Sequence, residues 1–177
     1  KGLNAITLKE GDELISVKLT RGTSELIAVT RHGLAIRFPE KDVRSMGRTA
    51  TGVKGVTLDE GDSVIAMDIV EEDADLLVIS ERGFGKRTSL DEYRVQRRGG
   101  KGVITSKITK KTGYLVGAKV VKEDCEVMLI SAVGVIIRMH VKDISKMGRS
   151  TQGVTLMKVS ENDNVVALAK IVPEEEC

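Results

Sequence analysis

Three glycine-bearing heptads carry the cations in this sequence that are best suited to binding chemistry. They span residues 46–52, 96–102 and 147–153, and each has an arginine at its third position, namely Arg48, Arg98 and Arg149. Arginine can donate two parallel hydrogen bonds to a phosphate group, and glycine lets the backbone come close to a ligand and offer its N–H groups. The pattern predicts a surface that binds phosphate, repeated along the chain.

The middle heptad is the most basic of the three, and a second series of cations recurs beside it. Its cations are Arg97, Arg98 and Lys101, and its side-chain amide is Gln96. They surround three glycines, Gly99, Gly100 and Gly102. The second series is Arg37, Arg87 and Arg138, with Lys86 next to Arg87. Residues 82–111 carry a charge of +8 in a chain of net charge +2. A stripe of cations in register is the pattern expected of a protein that follows a duplex backbone.

The composition excludes several other kinds of site. Two Phe, two Tyr and no Trp are too few for the stacking platforms that hold single-stranded nucleic acid, so the expected ligand is a duplex. Two distant cysteines and two isolated histidines form no metal motif. No phosphate-binding P-loop or nucleophile elbow is present, and no apolar run reaches the roughly 20 residues of a membrane span. We therefore expect no catalytic residue, no metal and no membrane.

The heptads lie within a repeat of 50 or 51 residues. The three repeats span 11–60, 61–111 and 112–162, with partial repeats at 1–10 and 163–177. In each repeat an apolar run, at 25–30, 75–80 or 126–131, is followed by a turn that ends in Gly33, Gly83 or Gly134. Such runs predict buried strands, and glycine in the turn predicts a hairpin.

The returning strand of each hairpin alternates, which places Arg37 and Arg138 on the face opposite the core. A first strand is expected at 14–17 and its equivalents, and a last strand at 55–58 and 154–159. Each repeat then forms a four-stranded antiparallel blade, and such blades stack radially in propellers. The sequence predicts an all-β, propeller-like fold of about three blades with an open ring, as a piece of a longer protein.

On these residues, the chain resembles the family of DNA gyrase A C-terminal domains. Residues 96–102 look like the signature box of that family, and residues 46–48, 85–88 and 148–153 are similar to the corresponding parts of its other blades. The resemblance covers essentially all of residues 1–177 and implies a β-pinwheel, a propeller variant whose blades exchange strands and which wraps duplex DNA. It also implies that Gln96, Arg97, Arg98 and Lys101 contact DNA.

The resemblance implies a non-catalytic wrapping domain that gives an ATP-hydrolysing type IIA topoisomerase its negative-supercoiling activity. Mg and ATP would act elsewhere in the parent complex. The implied partners are double-stranded DNA, the gyrase B subunit, and the rest of the gyrase A subunit, in the bacterial cytoplasm and at the nucleoid. Open blade edges also suggest self-association. Two alternatives remain open, the C-terminal domain of topoisomerase IV and a kelch-like propeller that binds proteins.

Overall fold

A computed structural model describes residues 2–171, which form eleven strands and three single-turn 3-10 helices. The strands are β1 (Glu25–Thr30), β2 (Leu34–Pro39), β3 (Val64–Ile69), β4 (Asp75–Ser80), β5 (Phe84–Ser89), β6 (Val103–Ile104), β7 (Leu115–Val121), β8 (Glu126–Ser131), β9 (Ile136–His140), β10 (Val154–Thr155) and β11 (Val165–Ile171). The 3-10 helices are Glu40–Asp42, Leu90–Glu92 and Val141–Asp143.

The strands build three antiparallel sheets around three hairpins. The first sheet has the order β3-β1-β2-β6, the second β10-β5-β4-β7 and the third β11-β8-β9. The all-β prediction and the four-stranded antiparallel blades are confirmed for the first two sheets. Within residues 2–171 the third sheet has three strands, and the set of sheets is not closed.

Each sheet takes strands from two sequence repeats. The hairpin β1–β2 belongs to the first repeat, whereas its neighbours β3 and β6 come from the beginning and the end of the second. The hairpin β4–β5 is flanked in the same way by β7 and β10 from the third repeat. Successive blades are therefore tied together by the chain, and the repeat boundaries drawn from the sequence stay a prediction.

Apolar runs form the central strands because both faces of the hairpins are covered. Ile27, Leu77 and Leu129 are each at most 1% exposed. The turns depend on glycine, as expected, since Gly83 has φ of 78° and a Cβ there would collide with the carbonyl of Met157. The hairpins thus form a rigid base from which the heptads extend.

The packing of the strands separates an inner from an outer side. Strand β7 contacts both β3 and β11, so these three strands lie next to one another on the inner side of their sheets. Strands β6 and β10 stand at the opposite edges of the first and second sheets. The outer side is therefore the side that two of the heptads reach, because residues 96–102 lead into β6 and residues 147–153 lead into β10.

Two strands predicted for the first repeat are absent. Residues 14–17 and 55–58 have no strand assignment, and Val17 is 78% exposed. The corresponding strands of the second repeat, β3 and the two-residue β6, pair with the hairpin of the blade before them. Within residues 2–171 there is no earlier hairpin for the first repeat to pair with. The last strand of the third repeat is also shorter than predicted, ending at Thr155.

Candidate nucleic-acid interface

Two of the heptads are held in equivalent positions at successive outer edges. We name them loop 96–102 and loop 147–153, after their residues. The N–H of Gln96 donates to the carbonyl of Arg37 over 2.8 Å, and the N–H of Met147 donates to the carbonyl of Arg87 over the same distance. Each loop therefore starts on the returning strand of the preceding blade and ends in the outer strand that pairs with it.

The last glycine of each loop is required by this close approach. Gly102 and Gly153 have φ of 83° and 82°. A Cβ at Gly153 would lie 2.6 Å from the carbonyl oxygen of Gly85, and one at Gly102 would collide with the carbonyl of Ala35. Gly99 also has positive φ, and its N–H donates to Gly55 over 2.7 Å. These glycines therefore allow the backbone of each loop to pack closely against the backbone of the preceding repeat.

The arginines at the third heptad position anchor the loops. The Nε of Arg98 donates to the carbonyl of Asp42 over 3.0 Å, and its Nη1 donates to the carbonyl of Lys54. The Nη1 of Arg149 donates to the carbonyl of Ile104 over 3.0 Å. Lys54 and Ile104 hold the same repeat position, so the anchor is itself repeated. Several of the guanidinium hydrogen bonds that were predicted to bind DNA are therefore made to backbone carbonyls of a neighbouring blade.

Two of the cations on the returning strands, which were predicted on the face opposite the core, also connect blades. Arg37 forms an ion pair with Glu25 at 2.5 Å and donates through Nη1 to the carbonyl of Leu90 over 2.8 Å. Arg87 donates to the carbonyl of Ile144 over 2.8 Å. In both cases the acceptor lies at the 3-10 helix of the next blade, a position that the repeat pattern alone does not locate.

Arg87 and Lys86, both predicted to contact DNA, are buried and bound by other protein groups in this structure. Arg87 is 7% exposed and pairs with Asp75 at 3.1 Å and with Glu123 at 2.5 Å. Lys86 is fully buried, and its Nζ donates to the carbonyls of Gly148 and Arg149 over 2.5 Å and 2.7 Å. Burial lowers the pKa of Lys86 to about 8.

Arg138 is the exposed member of its series. Its guanidinium forms an ion pair with Glu126, which precedes it by the same twelve residues that separate Arg37 from Glu25. The hydrogen bond from Arg138 lowers the pKa of the Glu126 carboxyl. Arg138 lies in the third sheet, and no blade follows that sheet within residues 2–171. Its position is therefore that of an unused inter-blade anchor.

Exposed cations remain on and beside the loops. Arg97 and Arg48 are exposed and have no ion pair within residues 2–171, while Lys101 is 60% exposed and pairs with Asp59 over 2.9 Å. Gln96 is half-buried, and its Nε2 has no hydrogen-bond partner in this part of the chain. The sequence reasoning missed further exposed cations at the loops, namely Lys54, Arg94 and Lys107. The basic segment 82–111 contained the signal for Arg94 and Lys107.

Among residues 2–171, no three His, Cys, Asp or Glu side chains lie together in a way that could hold a metal ion. No helix in the same range is long and apolar enough to cross a membrane. The candidate site is thus a set of cationic loops on a sheet scaffold.

Comparisons with known proteins place this scaffold in a family. The model of the DNA gyrase C-terminal domain, described as a beta-propeller, matches residues 1–21, 24–71, 74–122 and 126–171. The chain is 61% identical to the DNA gyrase A protein of Clostridium acetobutylicum over 96% of its length, and 58% identical to that of Halalkalibacterium halodurans over 99%. It spans about a fifth of the length of these relatives.

Solved structures agree with this result. A DNA gyrase A C-terminal domain superposes with a TM-score of 0.91 at 31% identity, covering 97% of this chain and 58% of that one. The C-terminal domain of a DNA topoisomerase IV gives 0.90 at 30% identity, covering 94% and 52%.

The sheets and their exchanged strands thus define a propeller-type domain of the β-pinwheel kind found in type IIA topoisomerases. The chain belongs to the DNA gyrase C-terminal domain family. This confirms the resemblance seen in the heptads and the fold predicted from it.

Proposed function

We propose that this chain binds duplex DNA across the outer edges of its sheets and bends it from one blade to the next. The observation that carries the proposal is the repeated placement of loop 96–102 and loop 147–153, one blade apart, with exposed cations on and beside them. Phosphates recur along a duplex, so a repeated cationic loop can bind a continuous path. Contacts with phosphates carry no base code, and we expect little sequence preference.

Bending requires several contacts at once. Bending 20–30 base pairs by 40–90° costs about 1–6 kcal/mol, which phosphate contacts spread along the curve must offset. Arg97, Lys101 and Arg48 are the exposed cations on the heptads that are available for this, with Lys54 and Lys107 beside them. Arg98 and Arg149 contribute mainly by holding the loops, since their guanidinium groups bind the preceding blade.

In the longer protein, the bent DNA would be presented to the gyrase B subunit together with the rest of the gyrase A subunit. The function of the whole would be ATP-dependent negative supercoiling, with Mg and ATP bound outside this chain. The equivalent domain of topoisomerase IV is the second candidate, because its structure superposes almost as well. A supercoiling assay of the parent enzyme distinguishes the two.

The test is duplex binding across a salt series. If about six phosphates are neutralised, the affinity of the wild-type chain falls roughly a thousandfold between 50 and 200 mM salt. The double variant Arg97→Ala/Lys101→Ala should bind every duplex sequence more weakly and should reduce the salt slope by about two contacts.

Lys122→Ala is the matched control, since Lys122 is exposed but follows the inner strand β7. An affinity that does not depend on salt, or an equal loss in the control, would contradict the proposal. A loss confined to one DNA sequence would contradict it as well.

A further inference from the structure

The buried ammonium of Lys86 lies directly beneath loop 147–153. It has three acceptors there, the carbonyls of Gly148 and Arg149 and the Oγ1 of Thr151 at 3.0 Å. No carboxylate forms an ion pair with it among residues 2–171. A buried charge is normally paired, because removing it from water is costly. The loop itself therefore supplies all the hydrogen bonds that this ammonium makes in the described part of the chain.

The fold does not require a lysine at this position. Ile36 and Ile137 occupy it in the first and third repeats. Ile36 supports loop 96–102 by apolar contact, since its Cδ1 lies 3.5 Å from where a Cβ of Gly100 would be. An apolar residue is thus sufficient to fill the space, and the ammonium must be explained by its hydrogen bonds.

Those hydrogen bonds set the direction of two consecutive peptide groups. In a trans peptide the C=O and the following N–H point in opposite directions. Because Lys86 draws the carbonyls of Gly148 and Arg149 inward, the N–H groups of Arg149 and Ser150 are directed away from it. Successive N–H groups on one side of a loop form a concave site for anions.

An anion already occupies part of this site. The carboxylate of Glu92 accepts a hydrogen bond from the N–H of Arg149 over 3.2 Å. The buried charge of Lys86 lies on the other side of the same peptide groups and favours a negative charge there. The contact with Glu92 shows that the N–H of Arg149 is open to an oxyanion.

We propose that Lys86 is a positioning residue that makes loop 147–153 a phosphate-binding loop, in which a DNA phosphate displaces the Glu92 carboxylate from the N–H of Arg149. The inference rests on the proposed function and deepens it. It replaces the direct DNA contact expected of Lys86 with an indirect one. Loop 147–153, which has only one arginine, thereby gains an electrostatic contribution that its own sequence does not show.

A double-mutant cycle tests the inference. In the wild-type background, Arg149→Ala removes the guanidinium that anchors the loop to Ile104 and should weaken duplex binding about tenfold. Lys86→Met keeps the length of the side chain but removes its charge and its hydrogen bonds, and should weaken binding by a similar factor. The double variant should bind about as well as either single variant, because both changes disable the same loop. Ile36→Met, at the same repeat position, is the control and should stay within about twofold of wild type.

The pH dependence gives a second readout that a purely structural role would not change. Two charged groups act on the ammonium, since Glu92 raises the pKa of Lys86 and Arg149 lowers it. Between pH 7 and pH 9 the affinity of wild type for duplex should fall more than that of Lys86→Met.

The outcomes are distinct. If Lys86→Met binds like wild type, or if Arg149→Ala has its full effect in the Lys86→Met background, the inference is overturned. If wild type itself fails to bind duplex at low salt, the proposed function fails. Should Lys86→Met not fold, Thr151→Val removes one of the three acceptors and should weaken binding about threefold. Unchanged binding in that variant overturns the inference.

Discussion

The two junctions between neighbouring sheets use the same hydrogen-bonding positions but differ in the side chain that lies beneath the loop. At the first junction, Arg37 connects the first and second sheets, Arg98 anchors loop 96–102 to Asp42 and Lys54, and Ile36 lies beneath the loop. At the second, Arg87 connects the second and third sheets, Arg149 anchors loop 147–153 to Ile104 of β6, and Lys86 lies beneath the loop. The hydrogen-bonded positions are the same, whereas burial and charge differ. The hydrogen-bonding positions are therefore a property of the repeat. The binding properties of each loop depend on residues that differ from one repeat to the next.

The largest expected difference between the junctions is in the stability contributed by the arginines of the returning strands, Arg37 and Arg87. Arg87→Ala should lower the free energy of unfolding by about 3–5 kcal/mol, because it leaves the buried carboxylate of Asp75 without one of its partners. Arg37→Ala should cost less, since the Arg37 side chain is 19% exposed and Glu25 is 33% exposed. Denaturant titration of both variants measures the difference.

Arg138→Ala is the matched control for this pair, because Arg138 holds the same repeat position on an exposed edge. It should leave the midpoint of denaturation nearly unchanged. Equal losses for Arg37→Ala and Arg87→Ala would mean that burial does not distinguish the two junctions.

Substitution of the last glycine of either loop should cost a similar amount of stability, which tests whether the two junctions are built in the same way. Gly102→Ala and Gly153→Ala should each lower the free energy of unfolding by about 2–3 kcal/mol, since each places a Cβ on a carbonyl of the preceding blade at positive φ. Thermal unfolding followed by circular dichroism gives both values. Gly47→Ala is the control, because its Cβ would meet nothing within 4 Å. A large loss in only one of the two variants would show that the junctions are not equivalent.

The smallest expected difference is the pH dependence that Lys86 gives to the second junction. The pKa of Lys86 is about 8 in the folded protein, against an ordinary value of 10.5. Between these values the unfolded chain binds more protons, so the stability contributed by this group rises with pH, by about 2 kcal/mol from pH 8 to pH 10.

In Lys86→Met this increase should be missing, and subtracting the two pH profiles removes the titration of all other groups. Urea titrations at several pH values provide both profiles. If the two profiles are parallel, Lys86 is not buried as a charged group, and the contrast with Ile36 disappears.

The hairpins of the scaffold could be predicted from the sequence, but the contacts made by the cations could not. Apolar runs and turn glycines identified the hairpins, because strand burial and positive φ are local properties of the chain. The roles of Arg37 and Arg87 were not accessible, since their carbonyl acceptors come from the next repeat, at Leu90 and Ile144. A cation in register looks the same in the sequence whether it faces solvent or a neighbouring blade.

The same limit applies to the loops. Lys86 appeared as one more cation beside Arg87, and only packing shows that it lies under the heptad of the following repeat. The first-repeat strands expected at 14–17 and 55–58 failed for the complementary reason. Their pattern was correct for pairing, but pairing requires a partner hairpin that is not among residues 2–171.

The exchange of strands between repeats has a consequence for how such a domain can change in size. The hairpin β1–β2 is enclosed by β3 and β6, both from the next repeat, so the spatial blade and the sequence repeat are out of phase. A duplication of about 50 residues, wherever it begins, would still supply a hairpin together with the strands and arginines that enclose the hairpin before it. Blade number could therefore increase or decrease in evolution without a new interface having to arise.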